Sequence, residues 1–425
     1  MRSVVPATLS ETRPDAGSAA LPTRSTDRQD DPQIWILVVG AGVVRSAGFS
    51  YPFLPYRLTG LGFSTASISL LLALFGLGWL TGQLVWGHLA DRLGRRATLV
   101  SAMTVAAVAL PLLAQATSLV AVGTATAVAG AVYDAPRPVI SAAVADGVAD
   151  EGRRAGISGW RHFATNVGAA ITGATGGLLA DSTGLPCLFW INGAACAAFA
   201  VIAVRFMRPD RPPRPAQRTS PGTGRSAVRD ARLWLLWLVS TCAFVPIAGI
   251  FSIMPLLMER QGLPASAYGW TQVASAAAVL LLSLPLNRWL ARRAQGSMVR
   301  LLAASSLVLG AGIGAAGLAN TTVEYAAAAA AAVPGEIVAF VAATAVIDRI
   351  APPRARGLYA GIWGTTLATA IICAPVLAGW SLAHGGPVLV GAVTCACGVV
   401  GAAVCLPLGL LLRQPRPAQS LALAH

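Results

Sequence analysis

About twelve stretches of roughly twenty apolar residues recur along this chain, and they constrain its fold more than any other feature. They run at 34–54, 66–89, 97–116, 119–143, 160–181, 186–206, 232–256, 268–290, 298–318, 323–347, 357–380 and 387–412. In lipid a run of that length has one ready solution, an α-helix, which satisfies its backbone N–H and C=O groups internally. An all-α membrane protein of twelve transmembrane helices is therefore expected. Composition agrees, because 55% of residues are hydrophobic and 11% charged, where a soluble domain devotes about a quarter to charge. The 44 glycines suit helices that approach one another through small residues.

The net charge of +14 raises the question of nucleic acid. The positions of the charges answer it. All 31 basic residues are Arg, and they cluster after every second segment: Arg92, Arg95 and Arg96; Arg153 and Arg154; the run from Arg205 to Arg232; Arg288, Arg292, Arg293 and Arg300; Arg349, Arg354 and Arg356; Arg413 and Arg416. The opposite loops hold little beyond Arg57 and Arg260. This alternation follows the positive-inside rule. It predicts a multi-pass inner-membrane protein with both termini cytoplasmic, no nucleic-acid partner, and the bilayer as its solvent.

The polar, Pro- and Arg-rich stretch 1–31 lacks the order of a signal peptide and reads as a disordered cytoplasmic tail. Residues 208–231 read as a cytoplasmic linker between bundles at 32–207 and 232–413, and 414–425 as a cytoplasmic C-terminal tail. The two bundles show a weak repeat. Residues 145–150 lead through Arg153 and Arg154 into Gly-rich segment 5, and residues 347–352 lead through Arg354 and Arg356 into Gly-rich segment 11. The seven cysteines sit inside apolar segments without metal-ligand spacing and read as small apolar fillers.

The loop between segments 2 and 3 reads Gly87-His88-Leu89-Ala90-Asp91-Arg92-Leu93-Gly94-Arg95-Arg96. It resembles the loop signature of the major facilitator superfamily. That resemblance implies two pseudo-symmetric six-helix bundles in parallel orientation, the architecture of secondary transporters. It also implies a conformational latch of Gly87, Asp91, Arg92, Gly94, Arg95 and Arg96, in which Asp91 contacts the start of segment 11, near Gly357, when the cytoplasmic side is closed. Gly87 would admit a neighbouring helix, and Gly94 would permit the tight reversal. The second-half counterpart, at 287–293, is degenerate and lacks the acid. Four further stretches resemble multidrug-exporter-like members, the drug:proton antiporter branch: 50–58 (Ser50 to Leu58), 133–138, Gly335-Glu336 and 356–361. Antiporters of the family often carry Gly-Pro-x-x-Gly-Gly in segment 5. Here Thr172-Gly173-Ala174-Thr175-Gly176-Gly177 keeps the Gly pair without the Pro, which weakens the case for antiport.

Four charged residues lie deep inside segments rather than near their ends, where each costs about 2.5–3.5 kcal/mol on insertion scales. Arg45 is in segment 1, Asp134 and Arg137 in segment 4, and Glu336 in segment 10. The resemblance places segments 1, 4, 7 and 10 around a central cavity. Glu336 and Asp134 are the candidate proton carriers, because low-dielectric surroundings let a carboxyl load and release protons near neutral pH. Permanent pairing of Glu336 with Arg45, or of Asp134 with Arg137, is the bland alternative. Arg45, Arg137, Tyr51, Tyr133 and Tyr359 are candidate cavity residues. Arg161 and His162 read as positive-inside charges.

No phosphate-binding loop, catalytic triad or metal cluster is visible in the sequence, so neither an enzyme nor a resident cofactor or metal is expected. The reading is a monomeric, proton-coupled exporter of a small amphiphilic molecule. An uptake symporter for a small metabolite, a non-transporting membrane receptor and a lipid or glycan flippase stay open beside it.

Overall fold

The structure, a computed structural model, describes residues 32–148, 150–208, 227–293, 297–352 and 355–413. The expected tails and most of the expected linker lie outside these. The described residues form helices and turns without strands. In chain order the helices are α1 (Pro32–Ser46), α2 (Leu54–Gly60), α3 (Thr65–Arg92), α4 (Arg95–Gln115), α5 (Leu119–Tyr133), α6 (Pro136–Gly147), α7 (Glu151–Thr183), α8 (Leu185–Phe206), α9 (Ala231–Arg260), α10 (Ala265–Ala291), α11 (Met298–Gly314), α12 (Thr322–Ile350) and α13 (Arg356–Arg413).

These helices make twelve passes. A straight helix of 58 residues would run about 87 Å, far beyond a hydrocarbon core of about 30 Å. Accordingly α13 divides at Gly386 (φ 67) into limbs 356–385 and 387–413. In the other half Gly184 (φ 86) makes the matching turn between α7 and α8. The repeat also shows in the turns after the first pass of each half, where Gly62 (φ 77) and Gly262 (φ 74) adopt the same left-handed conformation. Beside each turn a long side chain ties down a helix end: Arg57 donates to the Ala114 carbonyl at 2.9 Å, and Gln261 to the Ala319 carbonyl at 2.8 Å.

Segments 1 and 4 are expected as unbroken helices, but both are interrupted. Between α1 and α2 the chain unwinds over residues 47–53. Neighbouring helices satisfy the freed backbone groups: the Thr172 hydroxyl donates to the Arg45 and Ser46 carbonyls at 2.6 and 3.0 Å, and Asn192 Oδ1 accepts from Ser50 N–H at 3.3 Å. Between α5 and α6, Pro138 cannot donate to the Asp134 carbonyl, which accepts instead from Arg137 N–H at 3.1 Å and Gln83 Nε2 at 3.3 Å. Irregular backbone survives at this depth only where protein or a cavity surrounds it.

Each half is held by seams where glycine lets backbones touch. A Cβ on Gly130 of α5 would lie 2.1 Å from the Phe75 carbonyl of α3, and one on Gly398 would lie 2.4 Å from the Ser306 carbonyl of α11. Two further seams join the halves. In α7 and α10, a Cβ on Gly269 would meet the Gly173 carbonyl at 2.3 Å, so the stretch without its Pro still packs closely. In α3 and the first limb of α13, one on Gly76 would meet Ile372 at 2.9 Å and one on Gly379 the Ser69 hydroxyl at 2.1 Å. Both seams lie toward the Arg-poor end. Toward the Arg-rich end, Gly87 of α3 and Gly357, Gly361 and Gly364 of α13 face open space. The halves therefore close on the Arg-poor side and part on the other.

Candidate functional site

Between the halves lies a cavity of about 940 Å³, large enough for a drug-sized molecule. Its floor is an aromatic seal at the Arg-poor end. Tyr51, Phe53 and Tyr268 are each fully buried there, and Phe53 meets Tyr268 edge-on with ring centroids 5.6 Å apart. Its mouth carries Arg161 of α7, Asn287 of α10 and Asp348 of α12.

The break in segment 1 positions the first charge. Arg45 ends α1 and lines the cavity, with Nη1 hydrogen-bonded to the Tyr133 hydroxyl. Its guanidinium lies 5.6 Å from the Tyr133 ring centroid and 5.9 Å from that of Phe251. Tyr51 stacks on Phe75 at 4.5 Å and meets Tyr133 and Trp79 edge-on at 5.9 and 6.4 Å. A cation in low dielectric gains from such ring faces.

The break in segment 4 positions the next two. Asp134 caps the end of α5, and Arg137, in the first turn of α6, pairs with it at 3.4 Å. Asp134 is also within electrostatic reach of Arg45 and Arg161. Arg161 donates to the Ser141 hydroxyl at 3.0 Å and lines the cavity, so the reading of it as only a positive-inside charge needs correction. The side chain of His162 is outside the described set.

Glu336 of α12 lines the facing wall. Among the described residues it makes no ion pair or hydrogen bond, so the bland pairing with Arg45 is not formed in this structure. Tyr359 is corrected as well. It is buried against α9, where its hydroxyl donates to Asp230 Oδ2 at 2.9 Å, and it does not reach the cavity.

The proposed latch residues lie at the open end. Asp91 is 68% exposed and accepts from Arg95 in its own loop at 3.1 Å. Arg92 is exposed, Arg96 donates to the Val204 carbonyl, and Gly94 (φ 93) makes the reversal into α4. Gly87, expected to admit a neighbouring helix, has none against it here.

Sequence reading missed Trp79, Asn192, Phe251 and Gln272 in the lining and Thr172 behind it. The aromatics carry no signal in an apolar span, because lipid-facing and cavity-facing rings look alike. Thr172 and Asn192 did carry one, as polar groups within apolar segments.

The family model of the Major Facilitator Superfamily matches residues 34–337. No sequence among curated proteins matches the chain. Solved structures similar in fold include a POT family transporter in complex with 5-aminolevulinic acid, at 13% identity and TM-score 0.74, covering 90% of this chain and 97% of that one. A second is the nucleoside transporter NupG, at 14% identity and TM-score 0.67, covering 88% and 98%. A third is a bacterial homolog of the human lysosomal transporter Spinster, in an inward-facing and unoccupied conformation, at 15% identity and TM-score 0.61, covering 89% and 94%.

Proposed function

The chain belongs to the Major Facilitator Superfamily, a multi-pass membrane transporter rather than an enzyme, and we propose that it is a proton-coupled exporter of small amphiphilic molecules in the manner of the drug:proton antiporter branch. The observation that carries this reading is a cavity, sealed at one end and open at the other, with a carboxyl in its wall that has no partner among the described residues. Two bundles, 32–207 and 232–413, would rock about that cavity so that each membrane face reaches it in turn. With the Arg-rich loops and both termini on the cytoplasmic side of a cell membrane, the present state faces inward. The likeness to the inward-facing Spinster homolog supports that assignment.

Glu336 is the first candidate to carry the proton and Asp134 the second. Glu336 meets no cation among the described residues, so a proton or a cationic group of the substrate is what neutralises it. Asp134 already has Arg137 beside it. The latch is assigned to the opposite state, in which Asp91 would exchange Arg95 for the start of α13. An inward symporter would use the same carboxyls with the opposite stoichiometric sense.

The test is proton movement in proteoliposomes with an internal pH dye, under an imposed gradient, with a panel of amphiphilic drugs. Wild type is expected to show drug-dependent proton flux that Glu336→Gln abolishes and Asp134→Asn reduces. Flux unchanged in both variants overturns the carrier assignment. Substrate entering together with protons establishes import instead.

A further inference from the structure

Among the described residues, the cavity's charges balance in number but are sorted by half. The N-terminal wall holds Arg45, Arg137 and Arg161 against one carboxylate, Asp134. The C-terminal wall holds Glu336 and, at the mouth, Asp348, and among the described residues no lining cation. Asp134 pairs with Arg137, which leaves Arg45 and Arg161 hydrogen-bonded to hydroxyls and, among the described residues, without a carboxylate partner of their own. Glu336 has no partner at all among the described residues. Unpaired charges of opposite sign therefore face each other across a largely apolar, aromatic space. Buried charge is costly unless it is paired. Arg45 cannot lower that cost by losing its proton, so an anion from outside is the partner its wall lacks, and a cation or proton is what Glu336 lacks.

We infer that the transported molecule is amphoteric: an aromatic or otherwise apolar body with a carboxylate or similar anionic group at one end, received by Arg45 and the N-terminal wall, and a protonated amine at the other, received by Glu336. This rests on the reading of the cavity as the transport site and adds the substrate's charge pattern and its orientation between the halves. A molecule charged at both ends bridges the two halves, and one charged at a single end engages one wall only.

The test is calorimetric titration of the purified full-length protein in detergent with four derivatives of one skeleton. They are 4-(aminomethyl)benzoic acid, its N-acetyl derivative (anion only), its methyl ester (cation only) and the N-acetyl methyl ester (neutral), repeated on a biphenyl skeleton to vary the span. The amphoteric compound of the better-fitting length is expected to bind about tenfold or more tighter than either singly charged one. In Glu336→Gln its affinity falls to that of the anion, and anion binding is retained. In Arg45→Gln its affinity falls to that of the cation, and cation binding is retained. The retained arm verifies folding in each variant; should Arg45→Gln not fold, Arg161→Gln on the same wall tests the same loss. Equal affinity for the amphoteric and neutral compounds, or no binding by any of them, overturns the charge assignment and leaves the cavity as the transport site. Tight binding that neither variant alters places the compounds outside the cavity and overturns that reading as well.

Discussion

The two halves share a topology and differ in how they treat the cavity. In the N-terminal half, two of the three passes that carry cavity charges are cut: segment 1 over 47–53 beside Arg45, and segment 4 at Asp134, while α7, which carries Arg161 at the mouth, runs unbroken. In the C-terminal half, α9 and α12 run unbroken through Pro246, Pro255 and Pro334, and the cavity gains one mid-span acid, Glu336. Proline alone therefore does not cut a transmembrane helix. A cut also needs side chains that take over the freed backbone groups, here Thr172, Asn192 and Gln83. The N-terminal half is a polar scaffold that fixes a basic wall, and the C-terminal half is a close-packed body that presents an acid.

The sharpest way to break this comparison is to attack the close-packed seams, which should be equivalent in the two halves. Gly130→Ala and Gly398→Ala each force a Cβ against a carbonyl of a neighbouring helix. Each is expected to cost about 3 kcal/mol, read as apparent unfolding free energy in mixed micelles. A cost in one half alone would show that the halves are not built alike.

The next effect should be confined to the N-terminal half. Thr172→Val strands the Ser46 carbonyl and leaves the Arg45 carbonyl with only the Gly48 N–H, and is expected to cost about 2 kcal/mol in the same assay. Thr366→Val is the control in the other half. Its hydroxyl bonds the Trp363 carbonyl of its own helix, so its loss should cost well under half as much. Equal costs would remove the distinction between a cut and an uncut half.

The smallest expected effect on stability is at the Arg-rich end. The Asp91–Arg95 pair is exposed and contributes about 0.3–0.5 kcal/mol at most. Asp91→Asn is expected to leave unfolding unchanged while lowering substrate flux in proteoliposomes, because the proposed latch has the acid act in the state where the halves close. Unchanged flux would remove Asp91 from the latch.

Hydropathy and the Arg-rich loops of the sequence alone determined the twelve passes and the side on which the charges gather, since lipid admits one solution for such segments. The loop signature at 87–96 was enough to indicate the family. The sequence also marked Arg45, Asp134, Arg137 and Glu336, because a charge within an apolar run is too costly to be idle. Only the tertiary structure decided their partners. It set Glu336 apart from Arg45, brought Arg161 into the cavity, and buried Tyr359 against Asp230 instead. It alone located the cuts in segments 1 and 4, because whether a helix breaks depends on side chains far away in sequence that accept or donate in place of the lost backbone bonds. It alone sorted the cavity's charges by half, because that sorting depends on which faces of separate helices meet, and a single-segment pattern carries no record of its neighbours.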